Sequence, residues 1–364
     1  MSRRKVLLIV TMLVLVLTAA CSSTNSANTS TGADSSATGE DKPYAGKELT
    51  VLYMSGTYAD AARSIAVEFE ETTGAKVNVV DAPYLQLFEK EFSSLVSAGD
   101  YDVMSVAVQW DGQFAPYLEP WPEDSGIDLS QFIPSILDIT SNYNGVRTGI
   151  PMATDSYGVF YRKDLFEQEG IEVDPAAWTW EQYEDIAKKL NKNGMAGTSV
   201  TGQVDQMGIM AFHRYWSKGG HLWSQDWEPL PEKERMVEAI DDLLELKQSM
   251  PEGIASYDIA AQANAFVEGH TAMAEVWPSF VRALAKDPAN SKVVDNWSEL
   301  PLPGGARSVV SAWGLAVPQS SNNKELAREW IKLYTSEEKQ RAFLKQFGIG
   351  PTISSLYTDS EIVK

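Results

Sequence analysis

Four aromatic residues, Trp110, Tyr157, Trp277 and Trp313, fall beside the ends of apolar runs rather than within helical stripes, in a chain with 11 Trp and 14 Tyr. A Trp ring offers a flat apolar face and one N–H donor. A sugar ring has the matching surfaces, an apolar C–H face and an edge of hydroxyls. Aromatic walls with a few Asp, Gln or Ser groups between them make a saccharide site. Core packing is the competing reading for each ring, because large aromatics are mostly buried. Catalytic signatures are missing: the sequence has no GxxxxGK[ST], HExxH or GxSxG, and no GxGxxG after a strand. His213, His221 and His270 have no carboxylate at a ligand spacing, so they read as solvated or hydrogen-bonded side chains rather than metal ligands. No cofactor or metal is expected. Fifty Asp and Glu leave a glycosidase acid pair open, since such a pair is defined by separation in space.

The only cysteine, Cys21, follows a distinctive stretch. Arg3, Arg4 and Lys5 are followed by an apolar run from Val6 to Leu17, then by the small residues Thr18, Ala19 and Ala20. That order is an export signal over residues 1–20. The run falls short of the about 20 apolar residues that a spanning helix needs. A single thiol excludes an internal disulfide and any multi-thiolate site. LTAAC resembles the bacterial lipoprotein box, which implies cleavage before Cys21 and lipid attachment there. Removing residues 1–20 leaves 27 basic against 50 acidic side chains, a formal charge of −23. Such a surface repels phosphate backbones and speaks against nucleic acid.

These features need elements to position them. Residues 21–43 are dominated by Ser and Thr and read as a flexible tether, with a reach of roughly 25 Å for about 21 residues. Then LTVLY (49–53), VNVV (77–80) and VMSVAV (103–108) alternate with helical patterns at 58–73 and about 88–96, the last ended by Gly99. Apolar strands alternating with helices imply a parallel sheet covered on both faces. A second α/β block follows. It has strands at 157–161, 272–277 and 309–317, and helices after the capping box TWEQ (179–182), at about 233–249 and at 258–268. Helical stretches near 323–334 and 336–347 complete the pattern, which contains no internal repeat. The length suits two domains.

Four stretches carry a resemblance. ELTVLYMSGTYADAARSIAVEFEETTGAKVNVV opens the folded part. GIPMATDSYGVFYRKDLFEQEGIE is similar to GxPxxxDxxxxxYxKDLFxxxG. FVEGHTAMAEVWPSF is similar to FxxGxxAMxxxGxW, and ELPLPGGARSVVSAWGLAVPQSSNNKELAREWIKLYTSEE to a PLPGG…GGxGxAI…SKNKE pattern. Together they span nearly all of residues 48–357 and resemble the extracellular solute-binding proteins of bacterial ATP-binding-cassette (ABC) importers, in the branch that takes maltose and other oligosaccharides.

The resemblance implies an α/β, type II periplasmic-binding-protein fold. Two lobes, 44–154 with 313–364 and 157–309, would be joined by strands crossing at 153–157 and 309–313, with a small-molecule ligand trapped by hinge closure. Such a protein is not an enzyme. Its partners are a sugar, the importer's membrane subunits with their ATPase, and the membrane through Cys21, and it acts as a monomer on the outer face of the cytoplasmic membrane. Matching positions make Ser55, Tyr84, Gln109, Trp110, Asp111, Asp155, Ser156, Tyr157, Phe212, Trp216, Trp277 and Trp313 the candidate ligand contacts. Trp277 lies two residues early, with Pro278–Ser279 replacing the family's Gly spacing. For Asp155 the alternative is a turn cap or a pair with Arg147 or Arg162. For Phe212 and Trp216, four residues apart, it is core packing on a helix face. The family's C-terminal helices of the second lobe, which carry a further aromatic wall, are expected to be absent here. The other ligands that this fold could serve are a polyamine, a phosphorylated polyol or a peptide. A surface glycosidase and an adhesion lipoprotein stand as alternatives of another class.

Overall fold

A computed structural model describes residues 42–360, except Ala98, Gln225, Trp227, Pro231, Ala306 and Arg307. The expectations for residues 1–41, the lipoprotein box and Cys21 among them, lie outside the described residues. Three strands, β1 (Glu48–Met54), β2 (Lys76–Ala82) and β3 (Val103–Ala107), alternate with α1 (Thr57–Thr73) and α2 (Tyr84–Leu95). They pair in parallel, β1 lying between β2 and β3, as the alternating pattern predicts. The sheet is nevertheless mixed. β10 (Val310–Ala316) runs antiparallel to both β3 and β6 (Gly149–Ser156), giving the order β2-β1-β3-β10-β6. β3 has no exposed residue, which explains its continuous apolar reading, and β6 is buried through Thr154. α1 ends where Gly74 takes a left-handed φ of 81° and its N–H caps the carbonyl of Glu70.

Short elements α3 (Asp111–Phe114), α4 (Pro134–Ile139), β4 (Asn142–Tyr143) and β5 (Val146–Arg147) lead into β6. Directly after Tyr157 the chain enters a second sheet through β7 (Gly158–Arg162). That sheet has the order β8-β7-β9, with β8 at Met273–Val276 and β9 at Trp297–Pro301, all antiparallel. Its helices are α5 (Lys163–Gln168), α6 (Trp180–Leu190), α7 (Val204–Ser217), α8 (Lys233–Leu246), α9 (Ile259–Val267) and α10 (Arg282–Lys286). α6 starts with the anticipated capping box, in which Gln182 N–H donates to Thr179 Oγ1 and Gln182 Oε1 accepts from Thr179 N–H. α7 and β9 were not anticipated as elements. After β10, α11 (Lys324–Thr335) and α12 (Glu337–Phe347) return to the five-stranded sheet, where Trp330 Nε1 donates to Tyr53 Oη at 2.9 Å. Each sheet has its own apolar core. No described helix is long and apolar enough to cross a membrane.

The β6–β10 pair joins the two halves. Its register runs from Val310 opposite Ser156 to Ala316 opposite Gly149, with a shift between Trp313 and Gly314. The strands close tightly at the glycine end. A Cβ on Gly314 would lie 2.2 Å from Ser141 Oγ, and one on Gly149 would lie 2.4 Å from the Leu315 carbonyl oxygen. Ser141 itself holds a positive φ of 50°, and its N–H donates to Asp111 Oδ2 at 2.6 Å.

Two buried carboxylates show opposite electrostatics. Glu91 shares the inward face of α2 with Leu87 and Leu95, is fully buried, and has no hydrogen-bond partner on either oxygen among the described residues. Burial pushes its carboxyl well above 4.5. Glu275 on β8 is also fully buried, but its Oε1 meets His213 Nδ1 at 2.8 Å and its Oε2 accepts from Arg214 Nη1 at 3.1 Å. Burial works to raise the Glu275 carboxyl, yet Arg214 and His213 outweigh it and hold it below 4.5. Arg214 also lies 4.0 Å over the Trp180 ring. His213 is therefore a buried, hydrogen-bonded histidine, one of the two states expected of it.

Two predictions follow from these groups. Glu91 is protonated in the folded chain and ionised in the unfolded one once pH exceeds 4.5. Its contribution is present below that pH and declines by about 1.4 kcal/mol per pH unit as pH rises toward the folded value. Denaturant melts between pH 4 and 7 should show Glu91→Gln lacking that decline, and Glu91→Met more stable by about 1–3 kcal/mol at neutral pH. Glu275→Gln should instead lower stability by about 3–5 kcal/mol, because it strands the buried Arg214 charge. That loss should shrink only as pH falls through the depressed carboxyl value of the wild type, and melts from pH 3 to 7 would detect it.

Candidate functional site

A cavity of about 390 Å³ opens between the two sheets. From the five-stranded side it is lined by Met54, Tyr58, Tyr84, Val108, Gln109 and Trp313. From the other side come Gln206, Ile209, Ile259, Trp277, Ser279 and Phe280, while Asp155, Val309, Val310 and Ser311 belong to the crossing strands and their approach. The lining mixes ring faces and aliphatic groups with a few amides and hydroxyls, and Asp155 is its only charged residue among those described.

Local structure explains these placements. Tyr84 begins α2 just after Pro83, which sets the extended entry to the helix. Gln109 lies in the single 3-10 turn after β3, and its Nε2 donates to Tyr84 Oη at 2.5 Å. Trp313, opposite Ala107 on β10, packs edge-on against Tyr58 with ring centres 5.6 Å apart. Its Nε1 donates to Ser311 Oγ at 3.2 Å. Asp155 sits at the end of β6. Its Oδ1 accepts from Ser156 N–H at 2.9 Å, and its Oδ2 from Ser279 N–H at 3.0 Å. The second bond links the crossing strand to the turn at Pro278–Phe280. Burial raises the Asp155 carboxyl above 3.8, against the opposing pull of Ser279 and Arg282. Arg282 is occupied by a bidentate pair with Glu299, at 2.7 and 2.6 Å. Burial, and then the nearby Asp155 charge, drives the Tyr58 hydroxyl well above 10.

Of the residues singled out from sequence, the fold brings Tyr84, Gln109, Asp155, Trp277 and Trp313 into the lining. Two more form a supporting row. Trp110 stacks on Tyr84 at 5.3 Å and meets Trp313 edge-on at 5.5 Å, while Tyr157 packs against Trp277 at 4.1 Å. Five lie elsewhere. Asp111 is buried with Oδ2 on Ser141 N–H, and burial raises its carboxyl to about 7. The Ser55 hydroxyl donates to Asp81, which also pairs with Arg63. Ser156 is exposed. Phe212 and Trp216 stack on each other at 5.5 Å, farther along α7 than Gln206 and Ile209. At 1.5 Å per residue, Trp216 is about 15 Å along the axis from Gln206. The alternative partners considered for Asp155 are engaged as well, since Arg147 donates to the Thr140 and Leu137 carbonyls and Arg162 pairs with Asp164.

Sequence reasoning missed Tyr58, Gln206, Ile209, Ile259, Phe280 and Ser311. In the sequence Tyr58 reads only as the start of a helix. The usable signal for Ser311 was its place two residues before Trp313 on the same strand face. Gln206 gave no signal, because α7 itself was not recognised. Among the described residues, no three His, Cys, Asp or Glu side chains gather as metal ligands.

The chain resembles, at 25% identity over 333 residues, a probable amino-acid ABC transporter periplasmic-binding protein of Sinorhizobium fredii, covering 89% of this chain and 76% of the relative. A mannitol-binding protein of Pseudomonas aeruginosa is 27% identical over 258 residues, covering 66% of this chain and 57% of that protein. A solute-binding protein of Agrobacterium radiobacter, solved with ribitol, superposes with a TM-score of 0.80 at 25% identity, covering 88% and 84% of the two chains. A maltose-bound protein of T. maritima gives 0.77 at 23% identity, covering 86% and 84%, and shares the fold. The α/β periplasmic-binding-protein architecture expected from the sequence is thus the observed one. The model of the family described as bacterial extracellular solute-binding proteins matches residues 55–341, and the chain belongs to that family, which is one of transporter binding proteins rather than of enzymes.

Proposed function

We propose that the protein is the capture subunit of an ABC-type importer and that its cargo is a sugar or polyol. The observation that carries this is the presence of Trp313, from β10, and Trp277, directly after β8, on a single cavity that also holds Asp155, Gln109 and Gln206. Ring faces take the C–H surface of a polyhydroxylated ligand, while amides and the carboxylate take its hydroxyls. The ribitol complex of the Agrobacterium neighbour and the mannitol-binding relative support the same chemistry. A polyamine site would favour several carboxylates, and this lining has one among the described residues. A glycosidase would need two across the gap.

In this reading the two sheets, each with its core, act as lobes 44–154 with 313–364 and 157–309. Ligand bridging them shifts the population toward a closed state, which docks on the permease subunits and their ATPase. No covalent chemistry takes place. Residues 1–20 serve as the export signal. Cys21 carries the lipid anchor on the outer face of the cytoplasmic membrane, and residues 21–43 act as the tether of a monomeric receptor. Each buried CH₂ of such a lipid adds about 0.8 kcal/mol of membrane affinity.

Calorimetric titration with ribitol, mannitol, glucose and maltose, followed in parallel by Trp fluorescence, should give saturable binding of at least one of them. Trp277→Ala should weaken it at least about 10-fold, equivalent to about 1.4 kcal/mol. Silence across mono-, oligosaccharides and alditols would remove the sugar assignment. For the anchor, Cys21→Ser should abolish metabolic labelling with palmitate and release the protein from membranes, whereas normal labelling of the variant would refute it.

A further inference from the structure

We infer that Gln206 is a specificity-determining residue that donates a hydrogen bond to an oxygen of the cargo, opposite the acceptor Asp155. The inference rests on the cavity being the ligand site. Gln206 stands on α7, is largely buried and lines that cavity. Its Oε1 lies 3.3 Å from Trp277 Nε1 and 3.2 Å from Tyr157 Oη. An indole N–H can only donate, so the amide atom facing it has to be the carbonyl oxygen. The amide orientation is thereby fixed, and both Nε2 hydrogens are left over. Among the described residues no protein acceptor takes them, and Nε2 is not among the sealed, unsatisfied atoms of a residue that lines the cavity.

The wall is polarised as a result. On the α7 side it offers a donor held in place by two ring donors. At the end of β6 it offers a carboxylate whose oxygens already accept Ser156 and Ser279 N–H groups but keep further lone-pair capacity. A group that both accepts and donates satisfies the two ends, and adjacent hydroxyls of an uncharged polyol do so. An analogue without a hydroxyl at the Gln206 end would leave a buried amide unpaired, and sites of that kind discriminate strongly.

Gln206→Glu separates this role from simple support of the rings. The carboxylate still accepts from Trp277 and Tyr157, so the ring arrangement and its near-ultraviolet circular dichroism persist, but the donor is gone. Ribitol, D-mannitol and maltose would be titrated calorimetrically into the wild type, Gln206→Glu and Gln206→Met. For whichever probe the wild type binds, Gln206→Glu is expected to bind at least about 10-fold more weakly with an unchanged dichroism spectrum, and Gln206→Met at least as weakly. Wild-type affinity in Gln206→Glu overturns the inference, and does so most plainly if Gln206→Met alone is weak, since Gln206 would then act only by holding Trp277. If the wild type binds neither these three probes nor glucose, the sugar or polyol reading falls, and this inference falls with it.

Discussion

The antiparallel pairing of β6 with β10 is the constraint on which the rest of the molecule depends. These two strands complete the five-stranded sheet, and their far ends deliver the chain to and from the second sheet. One pairing register therefore sets three things at once. It places Asp155 opposite Ser311, both in the cavity lining. It sets Trp313 against β3 and under Tyr58, and it starts β7 immediately after Tyr157. A slip of one residue would turn Trp313 to the other face and take Asp155 out of reach of Ser279. The tight glycine end, plugged by Ser141, fixes the register on one side. At the opposite end Asp155 accepts from Ser279 N–H, and Tyr157 N–H donates to Ser308 Oγ.

Electrostatics divides along the same line. The three-stranded half contains the compensated cluster of Glu275, His213 and Arg214, with Tyr157 packed on the His213 ring at 4.8 Å. That cluster stiffens the region beneath the second wall of the cavity, since each buried charge there has a partner. The five-stranded half instead tolerates an uncompensated carboxyl at Glu91 by keeping it neutral. Burial alone does not decide the state of a carboxylate; the cations beside it do.

Much of the fold was legible because its elements are locally consistent. β3 is apolar on both faces, the α6 capping box is explicit, and Gly74 ends α1. The antiparallel placement of β10 was not legible, since an apolar run carries no direction. The site was legible where a residue sits at or just past the end of a strand, because sheet geometry fixes where that side chain stands; Asp155, Gln109 and Trp277 are of this kind. It was illegible on helices. Phe212 and Trp216 stand out at a helical spacing, but nothing in the sequence marks α7 as a whole or places Gln206 and Ile209 on it. Asp111 shows a third limit. It follows Trp110 directly, yet the helical turn sends its carboxylate to Ser141, a partner 30 residues away.

The double row of rings has a consequence for the cost of recognition. Tyr84 and Trp313 are braced by Trp110, Tyr58 packs edge-on against Trp313, and Trp110 in turn leans on Phe88 and Phe114 at 5.5 and 5.8 Å. Rings packed this way have little rotamer freedom left to lose. The entropy of arranging the wall is thus spent once, during folding, and not again at each encounter with a ligand. Tyr58, Trp313 and Trp277 are already buried in this arrangement, so the wall is packed before anything meets it. Affinity in such a site is stored in the fold before any ligand arrives.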